Sequence, residues 1–412
     1  MSLRARLHEF HGFALAVLAL GFITNGLGRG VVDTYTVVLL PLSQEFGWKR
    51  AQLTGVYSIY LLVQGGCSPL IGSLFDRYGP RLVYSWGYGI MAAGFWFAAT
   101  LDSIWAFYLF IGVTCGIGIA ASGMVPAASI VSRWFRERLS TAIGLVYSGI
   151  GLGMLIIVPL AQFIVEHYGW RMLYRGAGIV LGLAALVAFT APWERVMRGA
   201  HAGIISDTKT PTTSGDGWTV QAALHTPMFW ALTQVYVFTS IGMFGVFVQI
   251  VVYLREAGFP AMTAATTYGV AGILSVPSMI IMASLADKYG PRTIISITFA
   301  MSVIGILFLI AVGHVHSYWL LAGFVSFFGG SMGARGPIIS AIANRTFAGP
   351  RRATIYGLMY GSNLVGAALG AWLGGMLFDL TGGYLTGFII SIICILIAAL
   401  PFLFYPALKR FR

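Results

Sequence analysis

The chain has 412 residues, of which 58% are hydrophobic and only 9% are charged, and its mean hydropathy is +0.83. Because soluble domains carry about 25% charged residues, this composition excludes an ordinary soluble protein and predicts a membrane protein made mostly of buried helix. The net charge of +12 does not indicate a nucleic-acid partner, since the basic residues fall in short loops rather than in one patch.

Twelve apolar runs of about 20 residues or more follow one another along the chain, and each is long enough to cross a bilayer as a helix. They cover approximately 12–40, 52–75, 82–101, 104–131, 139–166, 172–192, 228–255, 263–286, 292–312, 317–345, 353–379 and 384–406. At this length only helices satisfy the backbone in hydrocarbon, because barrel strands are shorter and alternate in polarity. We therefore predict an all-α polytopic membrane protein.

The distribution of lysine and arginine predicts the orientation of these helices. With the N-terminus inside, the cytoplasmic segments hold eighteen of these residues and the outer loops hold five. Twelve spans then place both termini in the cytoplasm.

A polar segment at residues 193–227 divides the chain into an N-terminal part, residues 1–192, and a C-terminal part, residues 228–412. Its sequence "SDTKTPTTSGDG" is typical of a loop. The two parts repeat each other, because "GSLFDRYGPRLV" (Gly72–Val83) returns as "ASLADKYGPRTI" (Ala283–Ile294) at an offset of 211. A second echo pairs "STAIGLVYSG" with "ATIYGLMYGS" at an offset of 213. These echoes predict two pseudo-symmetric six-helix bundles joined by a cytoplasmic loop, with a substrate site between the repeats.

With this repeat and these spans, the chain resembles the major facilitator superfamily over its whole length. The family pattern G-x-x-x-D-R-x-G-x-R is met by "GSLFDRYGPR", and its second copy follows the eighth span. The resemblance implies that the charged residues of both copies gate the conformational change by holding the outward-open state. These residues are Asp76, Arg77, Arg81, Asp287, Lys288 and Arg292. A plain helix-turn-helix connection is the alternative interpretation.

Two further segments narrow the resemblance within the family. "LLPLSQEFGWKRAQLTGVYSIYLL" and "RWFRERLSTAIGL" are similar to the bacterial branch near the monocarboxylate and oxalate/formate carriers. This likeness implies transport of an organic anion across the bacterial inner membrane. The chain departs from that branch in its eighth span, which has no arginine, and in its eleventh, which has no lysine. The fifth span also lacks the motif of drug–proton antiporters.

Three charged side chains lie well inside the spans: Arg29, Asp33 and Arg335. An ionisable group at that depth indicates a functional site. Arg29 and Asp33 share a helix face with Asn25, and Arg335 has no acid nearby in sequence. In the resembled fold the first and tenth helices line the central cavity. We expect Arg335, aided by Arg29, to bind the carboxylate of a small organic acid, because a guanidinium matches a carboxylate in a bidentate manner.

Each of these roles has a structural alternative. Arg335 would instead cap backbone carbonyls exposed by the neighbouring glycines, and Arg29 would simply form an ion pair with Asp33. Other polar side chains are expected to contribute to the substrate site, although hydrogen bonding between helices would equally explain them. They are Asn25, Tyr60, Gln64, Tyr147, Gln234, Tyr360 and Asn363.

Asp33 is the only carboxylate deep in a span and is therefore the candidate for proton coupling. If it titrates, proton–anion symport follows, and if it stays ionised, exchange of one anion for another is favoured. No cofactor or metal is expected, since the energy source would be a proton gradient or a counter-anion. The sequence shows no motif of an enzyme. A drug efflux pump and a non-transporting sensor are the remaining alternatives, and we expect a monomer.

Overall fold

The computed structural model describes residues 3–48, 50–135, 137–198, 218–405 and 408, and nearly all of them are helical. The first part of the chain contains α1 (Leu3–Asp33), α2 (Tyr35–Phe46), α3 (Arg50–Ala98), α4 (Ile104–Phe107), α5 (Cys115–Ser122), α6 (Met124–Trp134), α7 (Leu139–Tyr168), α8 (Trp170–Thr190) and α9 (Trp193–Arg198). A π-helical segment, Tyr108–Thr114, connects α4 to α5.

The second part contains α10 (Val220–Leu224), α11 (Pro227–Phe247), α12 (Ile250–Glu256), α13 (Ala261–Tyr289), α14 (Pro291–His314), α15 (Tyr318–Phe324), α16 (Gly330–Met332), α17 (Arg335–Thr346), α18 (Arg352–Thr381) and α19 (Leu385–Phe404). A second π-helical segment, Val325–Gly329, connects α15 to α16. Of the predicted central loop, residues 193–198 belong to α9, α10 lies within residues 218–227, and residues 199–217 lie outside the described part.

The helices follow the order of the twelve predicted spans, although several spans consist of more than one helix. Within the described residues, ten helical stretches are long and apolar enough to cross a membrane. They account for eleven predicted spans, because α3 covers both the second and the third. The tenth predicted span corresponds to the interrupted stretch from α15 to α17.

Both copies of the charged loop motif make the same turn. Gly79 has φ 75° and Gly290 has φ 91°, values that glycine adopts without the steric cost of a Cβ. A proline follows each glycine, and Pro291 is the first residue of α14. A proline at this position loses no helical hydrogen bond, so each Gly-Pro pair ends one helix and begins the next.

The fourth and tenth spans are interrupted, whereas the sequence predicted continuous helices there. The fourth breaks at Gly123, with φ −96° and ψ −142°, and the tenth breaks at Gly333–Ala334, between α16 and α17. In each case a proline, Pro126 or Pro337, is the third residue of the helix that follows. Proline has no N–H to bond backwards, so it removes no hydrogen bond in the first turn of a helix, whereas in the interior it removes one.

The internal contacts divide the chain into two compact units. The first contains Met1–Ala223 and Asn344–Gly361, and the second contains Leu224–Ala343 and Ser362–Arg412. Residues 344–361 thus group with the first unit, although the sequence repeat assigns them to the second half. The predicted division into residues 1–192 and 228–412 follows the repeat and stays a prediction.

Glycines allow α1 and α7 to pack closely in the first unit. A Cβ on Gly153 would collide with the backbone of Gly26, and a Cβ on Gly30 would lie 2.9 Å from the carbonyl carbon of Gly153. Such backbone contact between small residues is the usual way in which membrane helices gain packing energy. It fixes the helix that carries Arg29.

We predict that Gly153→Ala destabilises the protein, because the added methyl group forces α1 and α7 apart. Overpacking of this kind costs about 1–3 kcal/mol. The measurement is the thermal unfolding temperature of detergent-purified protein, which should fall by several degrees. Gly176→Ala in α8 is the control, since nothing lies within 4 Å of its added Cβ. Equal unfolding temperatures for the two variants would contradict the packing argument.

Candidate substrate site

A closed network of three side chains lies between α1 and α3 in the first unit. Arg29 donates from Nε to Asp33 Oδ2 at 2.9 Å, one helical turn away on α1. Tyr57 on α3 donates its hydroxyl to Asp33 Oδ1 at 2.8 Å and accepts from Arg29 Nη2 at 3.0 Å. Both carboxylate oxygens are therefore occupied, and Asp33 is buried. The network orients the guanidinium.

The same face of α3 continues with two further predicted site residues. The Arg29 guanidinium lies 5.4 Å from the centre of the Tyr60 ring, within the range of a cation–π contact. The Tyr60 hydroxyl and the Gln64 Oε1 atom are buried without a hydrogen-bond partner among the described residues. Buried polar atoms of this kind usually have a partner, so the α3 face offers one donor and one acceptor to a bound molecule or water.

A cavity of about 20 Å³ lies beside this network, within the first unit. Four predicted site residues line it: Asn25, Arg29, Gln64 and Tyr360. The remaining lining residues are Thr24, Gly28, Ile119, Ser122, Gly123, Met124 and Ile150. The side chain of Arg29 is 23% exposed, whereas that of Asp33 is 2% exposed. The cation, and not its counter-charge, is therefore accessible.

The break in the fourth span also opens onto this cavity. Ser122, Gly123 and Met124 line it, and Met124 is the first residue of α6. The first N–H groups of a helix have no partner within the helix and carry a partial positive charge. The cavity thus combines a guanidinium with a helix N-terminus, and both favour a bound anion.

Asn25 contributes less than the sequence suggested. Its Nδ2 donates to the carbonyl of Gly21 at 2.8 Å, on its own helix. Its amide oxygen and its second N–H remain for the cavity.

The other polar residues predicted for the site lie elsewhere in their own units. In the first unit, the hydroxyls of Tyr147 and Tyr356 are 2.5 Å apart. In the second unit, Gln234 donates to the carbonyl of Ile397 at 3.0 Å, and Ser240 donates to Asn363 Oδ1. Gln234 and Asn363 therefore make the interhelical hydrogen bonds of the alternative interpretation. Their role in substrate binding stays a prediction.

Arg335 is the first residue of α17 in the second unit and is only 2% exposed. Its Nη2 donates to the hydroxyl of Ser302 at 2.7 Å and lies 3.1 Å from the sulfur of Met243. The guanidinium is 4.8 Å from the centre of the Phe299 ring. These contacts involve no backbone carbonyl, so they do not match the capping alternative.

Asp76 of the charged loop motif caps a helix within the first unit. Its carboxylate accepts from the N–H groups of Ala353 at 3.1 Å and Thr354 at 2.9 Å, and from the Thr354 hydroxyl at 2.7 Å. These residues form the first turn of α18. A carboxylate at a helix N-terminus satisfies free donors and complements the helix dipole. Two further arginines donate hydrogen bonds. Arg352 donates to the Ser132 hydroxyl, and Arg345 donates to the carbonyl of Glu137.

The basic residues of the two motif copies make equivalent contacts, each in its own unit. Arg81 donates to the carbonyl of Phe189 at 2.7 Å, and Arg292 donates to that of Phe402 at 2.8 Å. Both carbonyls lie near the ends of α8 and α19.

Arg77 and Lys288 stack on the tyrosine that follows each of them, at 5.1 and 5.0 Å. The two copies of the motif therefore make the same kinds of side-chain contact in the structure. The gating role of these residues and of Asp287 stays a prediction.

The predicted site residues did not include Tyr57, although it is three residues before Tyr60 and shares its helix face. Sequence reasoning missed the helix break at Ser122–Gly123 as part of the site. The sequence contained a signal for this break, because Pro126 recurs as Pro337 at the offset of the motif repeat.

The chain is similar to known transporters over almost its whole length. The sequence model of the Major Facilitator Superfamily matches residues 18–314 and 275–411. Monocarboxylate transporter 13 of Bos taurus is 27% identical over 383 residues, which cover 92% of this chain and 86% of that protein. The oxalate:formate antiporter of Oxalobacter formigenes is 25% identical over 402 residues, with 96% and 91% coverage.

Solved structures of the same fold are similar in shape. The transporter FucP, in the outward conformation, gives a TM-score of 0.71 at 15% identity and covers 94% of this chain and 98% of that one. The proton:xylose symporter XylE gives 0.71 at 13% identity, with 96% coverage of both chains. These likenesses confirm the predicted fold of twelve helices in two bundles.

We predict that Asp33→Asn destabilises the protein more than the double change Arg29→Gln/Asp33→Asn. The single change leaves a partly buried guanidinium without its counter-charge, at a cost of about 3 kcal/mol. The double change removes both charges together. Thermal unfolding of the purified variants measures the difference. If the double variant unfolds at the lower temperature, Arg29 does not depend on Asp33 for compensation.

Proposed function

The chain belongs to the major facilitator superfamily, and on that premise we propose that it carries a small organic anion of the monocarboxylate type across the membrane by alternating access. As a member of this family it is a multi-pass membrane protein, and we place it in the bacterial inner membrane. The curated relatives support an organic anion as cargo, because their names specify monocarboxylates, oxalate and formate.

The accessible guanidinium of Arg29 carries the proposal. Its Nε and Nη2 groups bond to Asp33 and Tyr57, while its Nη1 makes no hydrogen bond to a described residue. The side chain lines the cavity and is 23% exposed. A carboxylate oxygen that enters the cavity would accept from this free nitrogen, and charge-assisted bonds of this type are the stronger ones.

The neighbouring polar groups extend this pocket for the rest of the acid. The N-terminus of α6 supports a negative charge, and Gln64 and Tyr60 supply hydrogen-bonding atoms that have no partner among the residues the structure describes. Ile119 and Ile150 supply the apolar wall that a carbon skeleton requires.

The cavity volume of about 20 Å³ corresponds to roughly one water molecule. An organic acid therefore binds only after the surrounding helices move, as they do in alternating access.

We further propose that Asp33 couples transport to protons. A proton on Asp33 would end its ion pair with Arg29 and leave the guanidinium for the carboxylate of the cargo. Anion and proton would then bind together and cross as a neutral pair. If Asp33 stays ionised throughout, exchange of one anion for another is the alternative. The oxalate:formate antiporter among the relatives supports this alternative.

We expect Arg29→Gln to abolish saturable uptake of a monocarboxylate into proteoliposomes, because it removes the cation that binds the carboxylate. Since this change also leaves Asp33 without its counter-charge, the double variant Arg29→Gln/Asp33→Asn is tested beside it and should lose uptake as well. Counterflow with a panel of radiolabelled acids, formate, acetate, lactate, pyruvate and benzoate, identifies the cargo. Arg171→Gln is the matched control, since Arg171 pairs with Glu45 and Asp102 away from the cavity. Uptake by folded Arg29→Gln at the rate of the control would overturn the proposal.

A second experiment separates symport from exchange. An inward proton gradient should accelerate uptake by the wild type, and Asp33→Asn should lose this acceleration while it still exchanges internal for external anion. The Arg171→Gln variant again serves as the control and should respond to the gradient like the wild type. Wild-type uptake that ignores the pH gradient and requires internal anion would establish exchange instead.

A further inference from the structure

The break in the tenth span is the counterpart of the break that lines the cavity in the first unit. At the offset of 211 that relates the charged motifs, Met124 corresponds to Arg335 and Pro126 to Pro337. Both Met124 and Arg335 are the first residues of helices that follow an interruption, α6 with 11 residues and α17 with 12. The second unit thus has a half-helix N-terminus at the equivalent point, and there the first residue is an arginine.

The charge at this N-terminus is uncompensated. Because Cα–Cβ bonds tilt toward the start of a helix, the side chain of its first residue projects beyond that start. Arg335 therefore adds its full charge to the positive end of the α17 dipole, which is the unfavourable end for a cation. It makes no ion pair with any described residue. A buried, unpaired charge of this kind is costly in a protein interior.

The guanidinium also has unused donors. Its Nε and Nη1 are buried and have no hydrogen-bond partner in the part of the chain that the structure describes. Nη2 donates to Ser302, whose hydroxyl is 2.7 Å from that of Ser331. Each serine oxygen also lies near a carbonyl of its own helix, at 3.1 Å for Thr298 and 3.0 Å for Phe328. The site therefore contains five or more N–H and O–H donors and, among the described residues, no acid.

We propose that Arg335, Ser302 and the N-terminus of α17 form a second anion site, contained within the second unit and separate from the Arg29 cavity. Its ligand is a small monovalent anion that accepts hydrogen bonds from Nε and Nη1 of Arg335. The first unit has methionine at the equivalent position and relies on Arg29 instead, so each unit carries one cation beside one broken helix. Chloride and the carboxylate of a short acid share the required chemistry.

The experiment measures anion binding without transport. Because formate could also bind at the Arg29 cavity, the second site is identified by the part of the rise that Arg29→Gln keeps and Arg335→Met removes. Detergent-purified protein in sodium gluconate is titrated with sodium chloride or sodium formate at constant ionic strength, and the unfolding temperature is recorded. A saturable rise of a few degrees is expected with one or both anions. The anion that produces the rise shows whether the ligand of the site is inorganic chloride or a carboxylate.

Three variants assign the effect to its site. Arg335→Met, which copies the residue of the first unit, should remove the rise that Arg29→Gln keeps and, in gluconate alone, unfold no earlier than the wild type. Ser302→Ala should raise the half-saturating anion concentration several-fold. Arg29→Gln should keep the rise, because it alters the other cavity.

Two results would overturn the second site. One is the absence of any saturable rise with either anion in the wild type. The other is a rise that is as large in Arg335→Met as in the wild type, or that Arg29→Gln abolishes. If Arg335→Met does not fold, Ser302→Ala decides, and an unchanged half-saturating concentration in that variant rejects the proposal.

Discussion

A positive charge inside the hydrocarbon layer requires a negative partner, and this constraint shapes both units of the protein. Arg29 meets it with Asp33 and a bridging tyrosine, and it still presents one nitrogen that bonds to no described residue beside a cavity. Arg335 has no acidic partner in the described part of the chain and is held by a hydroxyl, a sulfur and an aromatic ring. A cation retained in such surroundings is explained most simply by an anion that binds there. The proposal of an anionic cargo therefore rests on the cost of burying the charge of Arg29.

Interrupted helices provide the second element of the design. In lipid every backbone donor must be satisfied, so a break in a membrane helix is tolerated only where it faces protein or a polar cavity. In the first unit the break at Gly123 lies on the cavity, and its free N–H groups become part of the proposed site. The break before Arg335 is its counterpart by sequence and by position in the helix order. A local defect in helix geometry thus supplies binding groups that side chains alone would not.

The charged loop motif uses ordinary helix chemistry twice. Its Gly-Pro pair turns the chain, and its arginines close the ends of α8 and α19 by binding their carbonyl oxygens. Asp76 has a different task, because it caps the first turn of α18. A bond between a carboxylate and exposed helix donors is strong when made and leaves several donors unsatisfied when broken. Such a contact is suited to a switch between two states, which alternating access requires.

The amino-acid sequence by itself determined the membrane class, the twelve spans, the internal repeat and the two intramembrane cations, since these depend on hydropathy, length and charge along the chain. It also determined the pairing of Arg29 with Asp33, because residues four apart share a helix face. Only the tertiary structure decided which polar residues meet. It brought Gln64 and Tyr360 to the cavity of Arg29 and gave Gln234 a carbonyl partner instead. Residues far apart in sequence are brought together by helix rotation and packing, and the periodicity of a single helix contains no information about its neighbour.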